Sequence, residues 1–284
     1  MCGIAGILNF DGAPAGRARM QRMTAAIAHR GPDGEGIWTD GPVGLGHRRL
    51  AIRDLSAAGR QPMFGPDGRI AVSFNGEIYN DPDLRRELAA DAGAQFQTSC
   101  DTEALPIGYG WWGEGLFERL EGIFAFALWD RARCELTLVR DGAGTKPLFY
   151  RHDARAVVFA SELKGILAGL DATPAIDPAN LHRFFAQGYT TPDQTTLAGI
   201  HQVPPGHAIT FGTDGAERTR GFYQPRRTGE IADMDEAAEA FVELWRQIVS
   251  DQLVSDVPVG VLQSGGIDSS LVSYGLSRHR EVPL

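Results

Sequence analysis

Short apolar runs separated by turn residues fill the chain as far as about Phe222. The first, Ile4, Ala5, Ile7, Leu8 and Phe10, stands directly behind Met1 and Cys2. It reads as a buried strand, where an N-terminal tail is usually frayed and polar. Met20, Met23 and Ile27 recur at helical spacing in AGRARMQRMTAAIAHR, and a Gly/Pro/Asp loop, GPDGEG, follows. VGLGHRRLAIRDL and RIAVSFNGEIYN read as strands that run into polar loops. DPDLRRELAADAG predicts a helix with Asp81 as N-cap, Pro82 in the first turn and Gly93 at the end. GIFAFALWD, CELTLVRD, PLFYRHD and AVVFASEL come at short intervals and predict antiparallel strands. Strands with a few helices among them indicate a layered α+β fold rather than regular βαβ units.

The pattern changes in the polar stretch FGTDGAERTRGFYQPRRTGEIADMD. A domain boundary is expected there, with a first domain over 1–222, a linker over 223–234 and a second region over 235–284. Beyond it, Phe241, Leu244, Trp245 and Ile248 share one face of a predicted helix. VPVGVLQSGGIDSSLVSYGLSRHR then reads as strand, glycine-rich turn and helix, and EVPL as the start of another strand.

Composition narrows the function classes. The 284 residues are 43% hydrophobic and 22% charged, ordinary for a soluble globular protein. A net charge of −9 without a basic patch argues against a nucleic-acid partner. No apolar run approaches the ~20 residues of a membrane span. The N-terminus has neither the basic region nor the long apolar core of a secretory signal. The three cysteines, Cys2, Cys100 and Cys134, form no CxxC and no zinc spacing, so a cytoplasmic protein with free thiols is expected.

Four stretches carry candidate chemistry. Removal of Met1 leaves Cys2 with both a thiol and an α-amine able to take its proton; otherwise Cys2 is a small buried hydrophobe. Arg49, between apolar neighbours in GHRRLAIRDL, is placed to emerge at a strand end, either to fork onto a carboxylate or to form a surface ion pair. In FNGEIYN, Asn75 offers a side-chain N–H and Gly76 a backbone N–H at one turn, an oxyanion hole or a plain Asn-Gly hairpin. In SCDTEAL, Ser99 or Asp101 is placed to cap a helix with Glu103 in its first turn; the other role for Asp101 is to hold an ammonium group.

Together with HRGPDGEG, RDGAGTKPLFY, SELKGIL and VPPGH, these stretches resemble the class II glutamine amidotransferase domain over Cys2 to about Phe222. The resemblance implies a four-layer αββα N-terminal-nucleophile hydrolase fold. It also implies that Cys2 attacks the glutamine side-chain amide and that Asn75 and Gly76 form the oxyanion hole. Arg49 would hold the glutamine carboxylate, Glu77 and Asp101 its α-ammonium, and the main chain near Ile52 would line the pocket.

QSGGIDSS lacks the GK[ST] of a Walker loop and resembles the SGGxDS pyrophosphate loop of ATP pyrophosphatases. In that resemblance Ser264, Gly265, Gly266, Ser269 and Ser270 meet phosphate, Asp268 stands near magnesium–pyrophosphate, and Leu262 lies beside the nucleotide. An amidotransferase domain followed by such a loop is similar to the glutamine-hydrolysing asparagine synthetase family. That implies glutamine, aspartate, ATP and Mg2+ as reactants, and a homodimer is common there. Relatives that amidate sugars, peptides or natural-product acids, and a non-catalytic binding protein, are the alternatives.

Two positions depart from the family pattern: Gly142 stands where arginine is usual, giving a more mobile loop or an altered contact, and Gln263 where an apolar residue is common. The region 235–284 is too short to bury the core of a parallel α/β sheet. The chain is therefore expected to be a fragment of such a protein, with the part from about Asp235 poorly ordered or packed differently from the family.

Overall fold

Alternation along the first strand decides the layering. In a computed structural model, described over residues 1–226, 229 and 231–278, β1 (Gly3–Asn9) is buried at every position. Ile4 and Leu8 enter one apolar cluster, Ala5 and Ile7 another. A strand buried on both faces needs cover on each side.

β1 lies inside a six-stranded sheet with β2 (Gly34–Asp40), β3 (Val43–Arg49), β8 (Phe149–His152), β9 (Ala156–Ala160) and β10 (His201–Gln202), in the order β10-β8-β9-β1-β3-β2. A second six-stranded sheet holds β4 (Met63–Phe64), β5 (Ile70–Ile78), β6 (Gly122–Asp130), β7 (Glu135–Arg140), β11 (His207–Gly212) and β12 (Glu217–Gly221), in the order β12-β11-β7-β6-β5-β4. Every pairing between these strands is antiparallel.

Ile4, Leu8 and Leu45 of the first sheet meet Ala125, Leu138 and Phe211 of the second in the central core. α1 (Arg17–Ala26) and α4 (Leu163–Gly169) cover the first sheet through Met20, Met23 and Ile166. α2 (Asp81–Ala92) and α3 (Ala104–Trp112) cover the second through Leu84, Leu105 and Tyr109. The result is the αββα sandwich that the sequence implied. α5 (Pro178–Gln187), capped by Asp177, lies between α4 and β10 in the chain.

Two local expectations need correction. The α2 N-cap is Asn80, whose carbonyl accepts from Asp83 and Leu84 N–H. The Asp81 carboxylate is instead held by Arg85 one turn on, at 2.9 Å. Asn75 and Gly76 form no turn: they lie inside β5, opposite Ala125 and Phe124 of β6. The strand continues because glycine lets β6 approach, a Cβ at Gly76 falling 2.2 Å from the Ile123 carbonyl oxygen.

A second compact unit consists of Ile52–Leu55 and the chain from Pro225 onward, while Met1–Ala51 and Ser56–Gln224 make the first. α6 (Met234–Asp251) starts at Asp233, which accepts from the N–H groups of Asp235 and Glu236. α7 (Ile267–Arg278) meets it where the Trp245 ring covers Gly275. The predicted helical face of Phe241, Leu244 and Ile248 forms but stays exposed, Leu244 at 61%. The strand predicted for VPVGVL is absent: residues 257–262 are irregular and Leu262 is 96% exposed. A strand needs a neighbour, and the described part of this unit offers none. The predicted strand at EVPL lies outside the described residues. No helix of the described residues is long and apolar enough to cross a membrane.

His47 of β3 is buried, and its Nε2 donates to the Phe74 carbonyl of β5 at 3.1 Å. Burial holds its pKa down to about 3 against that bond, with the Arg49 charge acting in the same direction as burial. An unfolded histidine titrates near 6.5. Between the two values the unfolded chain takes up a proton that the native site refuses, so stability present above about 6.5 falls as pH drops towards 3. His47→Gln, which keeps a donor for Phe74, should shrink the fall in urea midpoint between pH 7 and pH 4. An equal fall in both proteins would count against this.

Candidate active site

β1 and β3 pair with Gly3 opposite Arg48, so the chain start lies against the end of β3. Half-buried Cys2 sits there, its thiol donating to the Leu50 carbonyl at 3.5 Å while the Leu50 N–H reaches Sγ at 3.3 Å. The start is pinned from three sides. Ile4 N–H donates to Ser161 Oγ at 3.0 Å, Ser161 N–H to the Ile4 carbonyl at 2.9 Å, and Arg30 Nε to the Cys2 carbonyl at 2.9 Å. Arg30 in turn pairs with Glu162 at 2.9 Å. Burial pushes the Glu162 carboxyl up, but hydrogen bonds from Arg30, His29 and Lys164 outweigh it and hold it down to about 2.

Arg49 ends β3, as its apolar neighbours implied, and donates to the Ser56 carbonyl at 2.7 Å. The GPDG loop fixes this strand end. Asp33 N–H donates to the Arg49 carbonyl at 2.9 Å, and the Asp33 carboxylate accepts from Ala51 N–H at 2.9 Å. A Cβ at Gly31 would fall 2.3 Å from the Arg48 carbonyl carbon, so only glycine lets the loop lie this close.

β5 crosses over β3, with Ser73 Oγ donating to the Gly46 carbonyl at 3.0 Å. Ala71 enters the inter-sheet core, while Ile70, Val72, Phe74 and Ile78 enter the outer cluster. By the same alternation Asn75 and Glu77 face the first sheet. Asn75 is 1% exposed, and its Nδ2 has no hydrogen-bond partner among the described residues. Leaving such a donor unpaired costs about 1–3 kcal/mol.

The Gly76 backbone points away from β6. Phe124, opposite it, has both polar groups taken by Asp141: its N–H donates to the carboxylate at 3.1 Å and its carbonyl accepts the Asp141 N–H at 2.9 Å. Opposed residues in an antiparallel ladder either bond to each other or both turn outward. Phe74 and Ile78, which share the outward phase, donate to Gln61 Oε1 at 2.6 Å and Asp101 Oδ2 at 2.9 Å. β4 pairs only with Ala71 and Val72, so the Gly76 N–H opens at the sheet edge beyond it. Asp101 thus turns its buried carboxylate to β5, and the residue at the cap position of the turn is Cys100. Glu103 accepts from the N–H groups of Gln97 and Thr98.

Burial raises the Cys2 thiol pKa; the Leu50 bond and the chain-terminal ammonium pull it down, and Glu77 and Asp101 push it up. The α-amine, here on Met1, is lowered chiefly by burial; Cys2 and Asp33 pull it up, while Arg30 and Lys146 add to the lowering. Lys146 Nζ lies 3.3 Å from Met1 Sδ. Its loop is folded around Asp141, whose carboxylate accepts the Ala143, Thr145 and Lys146 N–H groups. At Gly142 a Cβ would fall 2.5 Å from the Tyr223 ring, which explains why a larger residue is not accommodated there.

The first unit therefore brings together Cys2, Arg49, Asn75, Gly76, Glu77 and Asp101 at neighbouring ends of β1, β3 and β5. Ile52 belongs by its contacts to the second unit, where its carbonyl accepts the Asp256 N–H at 2.9 Å. Gly265 there has φ 82, and Ser264 and Ser269 hydroxyls meet at 3.1 Å ahead of α7, whose first turn carries Asp268 and Ser270. Sequence reading missed Arg30, His47, Gln61, Lys146 and the Leu50 main chain. His47 had a signal, a polar side chain inside an apolar strand; Arg30 and Lys146 lay within recognised motifs; Gln61 had none.

The glutamine amidotransferase domain family matches residues 1–223. The chain belongs to that family. The asparagine synthase family matches residues 240–284. Glutamine-hydrolyzing asparagine synthetase 3 of Bacillus subtilis is 38% identical over 286 residues, covering 99% of this chain and 46% of that protein. Glutamine-hydrolyzing asparagine synthetase 1 of the same organism is 35% identical over 277 residues, 96% of this chain and 43% of its own. Amidase chry2 of Gibberella zeae is 33% identical, covering 98% of this chain and 43% of that protein. The chain spans about half the length of these curated relatives. The solved glutamine phosphoribosylpyrophosphate amidotransferase of B. subtilis is 19% identical, with a TM-score of 0.58, and covers 99% of this chain and 65% of that one. That likeness extends the family's fold to this sandwich.

With Met1 in place the raised thiol should react slowly with iodoacetamide at pH 7, its alkylation midpoint standing above that of an ordinary cysteine. Removing Met1 should speed alkylation of Cys2 at pH 7, followed by peptide mass mapping. Equal rates for the two forms would refute the pairing of thiol and amine.

Proposed function

We propose that the first unit hydrolyses glutamine to glutamate and ammonia, as the glutaminase half of a glutamine-dependent asparagine synthetase. The observation that carries this reading is the buried, unpartnered Asn75 amide N–H, next in the chain to a Gly76 N–H that opens at a sheet edge. Two such donors suit an oxyanion.

With Met1 removed, the α-amine of Cys2 takes the thiol proton and the sulfur attacks the side-chain amide carbon of glutamine. The carbonyl electron pair moves onto oxygen, where Asn75 Nδ2–H and Gly76 N–H receive it. As the C–N bond breaks, the amine returns its proton to the leaving nitrogen and ammonia departs. Water then cleaves the thioester to release glutamate and restore the thiol. The Arg49 guanidinium takes the substrate carboxylate, and Glu77 and Asp101 its ammonium. Arg30 and Lys146 lower the pKa of the amine on Met1, and the same two positive charges would favour the free amine on Cys2.

For the longer protein we infer an ATP- and Mg2+-dependent second half. The donor set suits phosphate oxygens: the Ser264, Ser269 and Ser270 hydroxyls, the turn at Gly265 and Gly266, and the first N–H groups of α7. Asp268 adds one carboxylate fit for magnesium–pyrophosphate, although no group of three or more His, Cys, Asp or Glu among the described residues is set to hold a metal ion by itself. Leu262, exposed in this chain, would face the nucleotide. ATP supplies the activation of the aspartate carboxylate, which ammonia converts to asparagine with AMP and pyrophosphate as the other products. Amidase chry2, similar over 98% of this chain, is not named an asparagine synthetase, which leaves a different carboxylate acceptor as a second reading; rescue of an asparagine auxotroph by the full-length gene separates the two.

The processed chain should hydrolyse glutamine and form a covalent adduct at Cys2 with a glutamine-like electrophile. Asn75→Ala should lower kcat about 10²–10³-fold with little change in KM, as loss of an oxyanion donor does. A wild-type rate in Asn75→Ala would sink the assignment.

A further inference from the structure

Among the described residues no strand lies beside the outer edge of β5 beyond Val72, since β4 pairs only with Ala71 and Val72. Side chains take over the missing strand's role. Gln61 Oε1 accepts the Phe74 N–H at 2.6 Å, His47 Nε2 donates to the Phe74 carbonyl at 3.1 Å, and Asp101 Oδ2 accepts the Ile78 N–H at 2.9 Å. Gly76 lies midway between Phe74 and Ile78, one pleat from each. The two outer anchors are joined: Gln61 Nε2 donates to Thr102 Oγ1 at 3.2 Å, and Thr102 adjoins Asp101. Gln61, Asp101 and Thr102 are all buried, so water has no ready access to replace a lost bond. The Gln61 main chain is seated against β2, where a Cβ on Gly36 would fall 1.7 Å from the Gln61 carbonyl oxygen.

Resting on the glutaminase reading, we propose that Gln61, held by Thr102, is a positioning residue that aims the Gly76 N–H at the oxyanion. Gln61 fixes the peptide two residues before Gly76, and Thr102 ties that anchor to the one two residues after it. The strand segment carrying both proposed donors is thereby held at each end. A hydrogen bond to a developing oxyanion tightens only in the transition state, so a loosened brace lowers kcat and leaves substrate binding nearly unchanged.

The test uses the processed full chain and the variants Gln61→Leu, Thr102→Val and Thr102→Ser. Gln61→Leu should lower kcat for glutamine about 10–100-fold, with KM within about threefold of wild type. Thr102→Val should show a smaller loss of the same kind, and Thr102→Ser, which keeps the hydroxyl, should restore wild-type kcat. Iodoacetamide alkylation of Cys2 forms no oxyanion, so its rate should hold within about twofold in every variant. Unchanged kcat, a rise in KM alone, or a parallel loss of alkylation would overturn the proposal. If Gln61→Leu does not fold, the Thr102 pair decides by the same criteria. A wild-type chain without hydrolysis overturns the glutaminase reading instead. The brace is then judged by amide exchange at Ile78, which rises in Thr102→Val if the anchors are coupled and stays unchanged if they are not.

Discussion

The pairing of β1 between β3 and β9 is the constraint on which the site depends. A chain terminus is normally the least ordered part of a domain, because nothing upstream holds it. Here the first strand is interior in its sheet and buried on both faces, so the terminus cannot leave without exposing Ile4, Ile7 and Leu8. Antiparallel register then brings the chain start to the end of β3, where Arg49 and Leu50 lie. Core packing, which is non-directional, thus acquires a directional result: a thiol one residue ahead of the strand is held at a chosen place.

Accounting for backbone polar groups explains the opposite wall. Interior strands satisfy every N–H within the ladder, and a strand edge leaves every second one to find another partner. On β5 those partners are β4 at Val72, Gln61 at Phe74 and Asp101 at Ile78. The position between the last two is the glycine. Its missing side chain lets β6 close in, while its N–H faces outward with buried donors and acceptors on either side. Asn75, one residue back, turns the other way and carries a buried amide without a partner. An orphaned donor and an outward N–H on successive residues are costly features for a fold alone, and they make sense together around an acceptor.

Strand periodicity was legible because both sheets are buried on one or both faces, so apolar spacing maps directly onto burial. The six positions proposed for the site of the first unit stand out in the sequence as well, through residue types that a core does not require. The failures share a cause: each depended on a partner far away in sequence. Asn-Gly reads locally as a turn, but the β6 residues opposite it pull it into a strand. Asp81 reads as a cap, but Arg85 holds its carboxylate. Gln61 carries no local signal at all, because what defines it is the N–H of Phe74 thirteen residues on. VPVGVL reads as a strand from its apolar alternation, yet pairing needs a neighbour that the described unit does not contain.

Burial also bears on the proton. It raises the Cys2 thiol and lowers the α-amine on Met1 beside it, so the same low-dielectric surroundings disfavour thiolate and ammonium alike. A thiol–amine pair held in this way is shifted towards its neutral forms, whereas in water the amine would be largely protonated at neutral pH. Proton transfer then creates both charges at once, and each lies against the other. The surrounding ions set the balance: Arg30 and Lys146 act to keep the amine free, while Glu77 and Asp101 raise the thiol. A substrate ammonium drawn to Glu77 and Asp101 would cancel the second effect and leave the first. Filling the pocket would therefore move the thiol towards the ionised form just when an amide carbon is in reach.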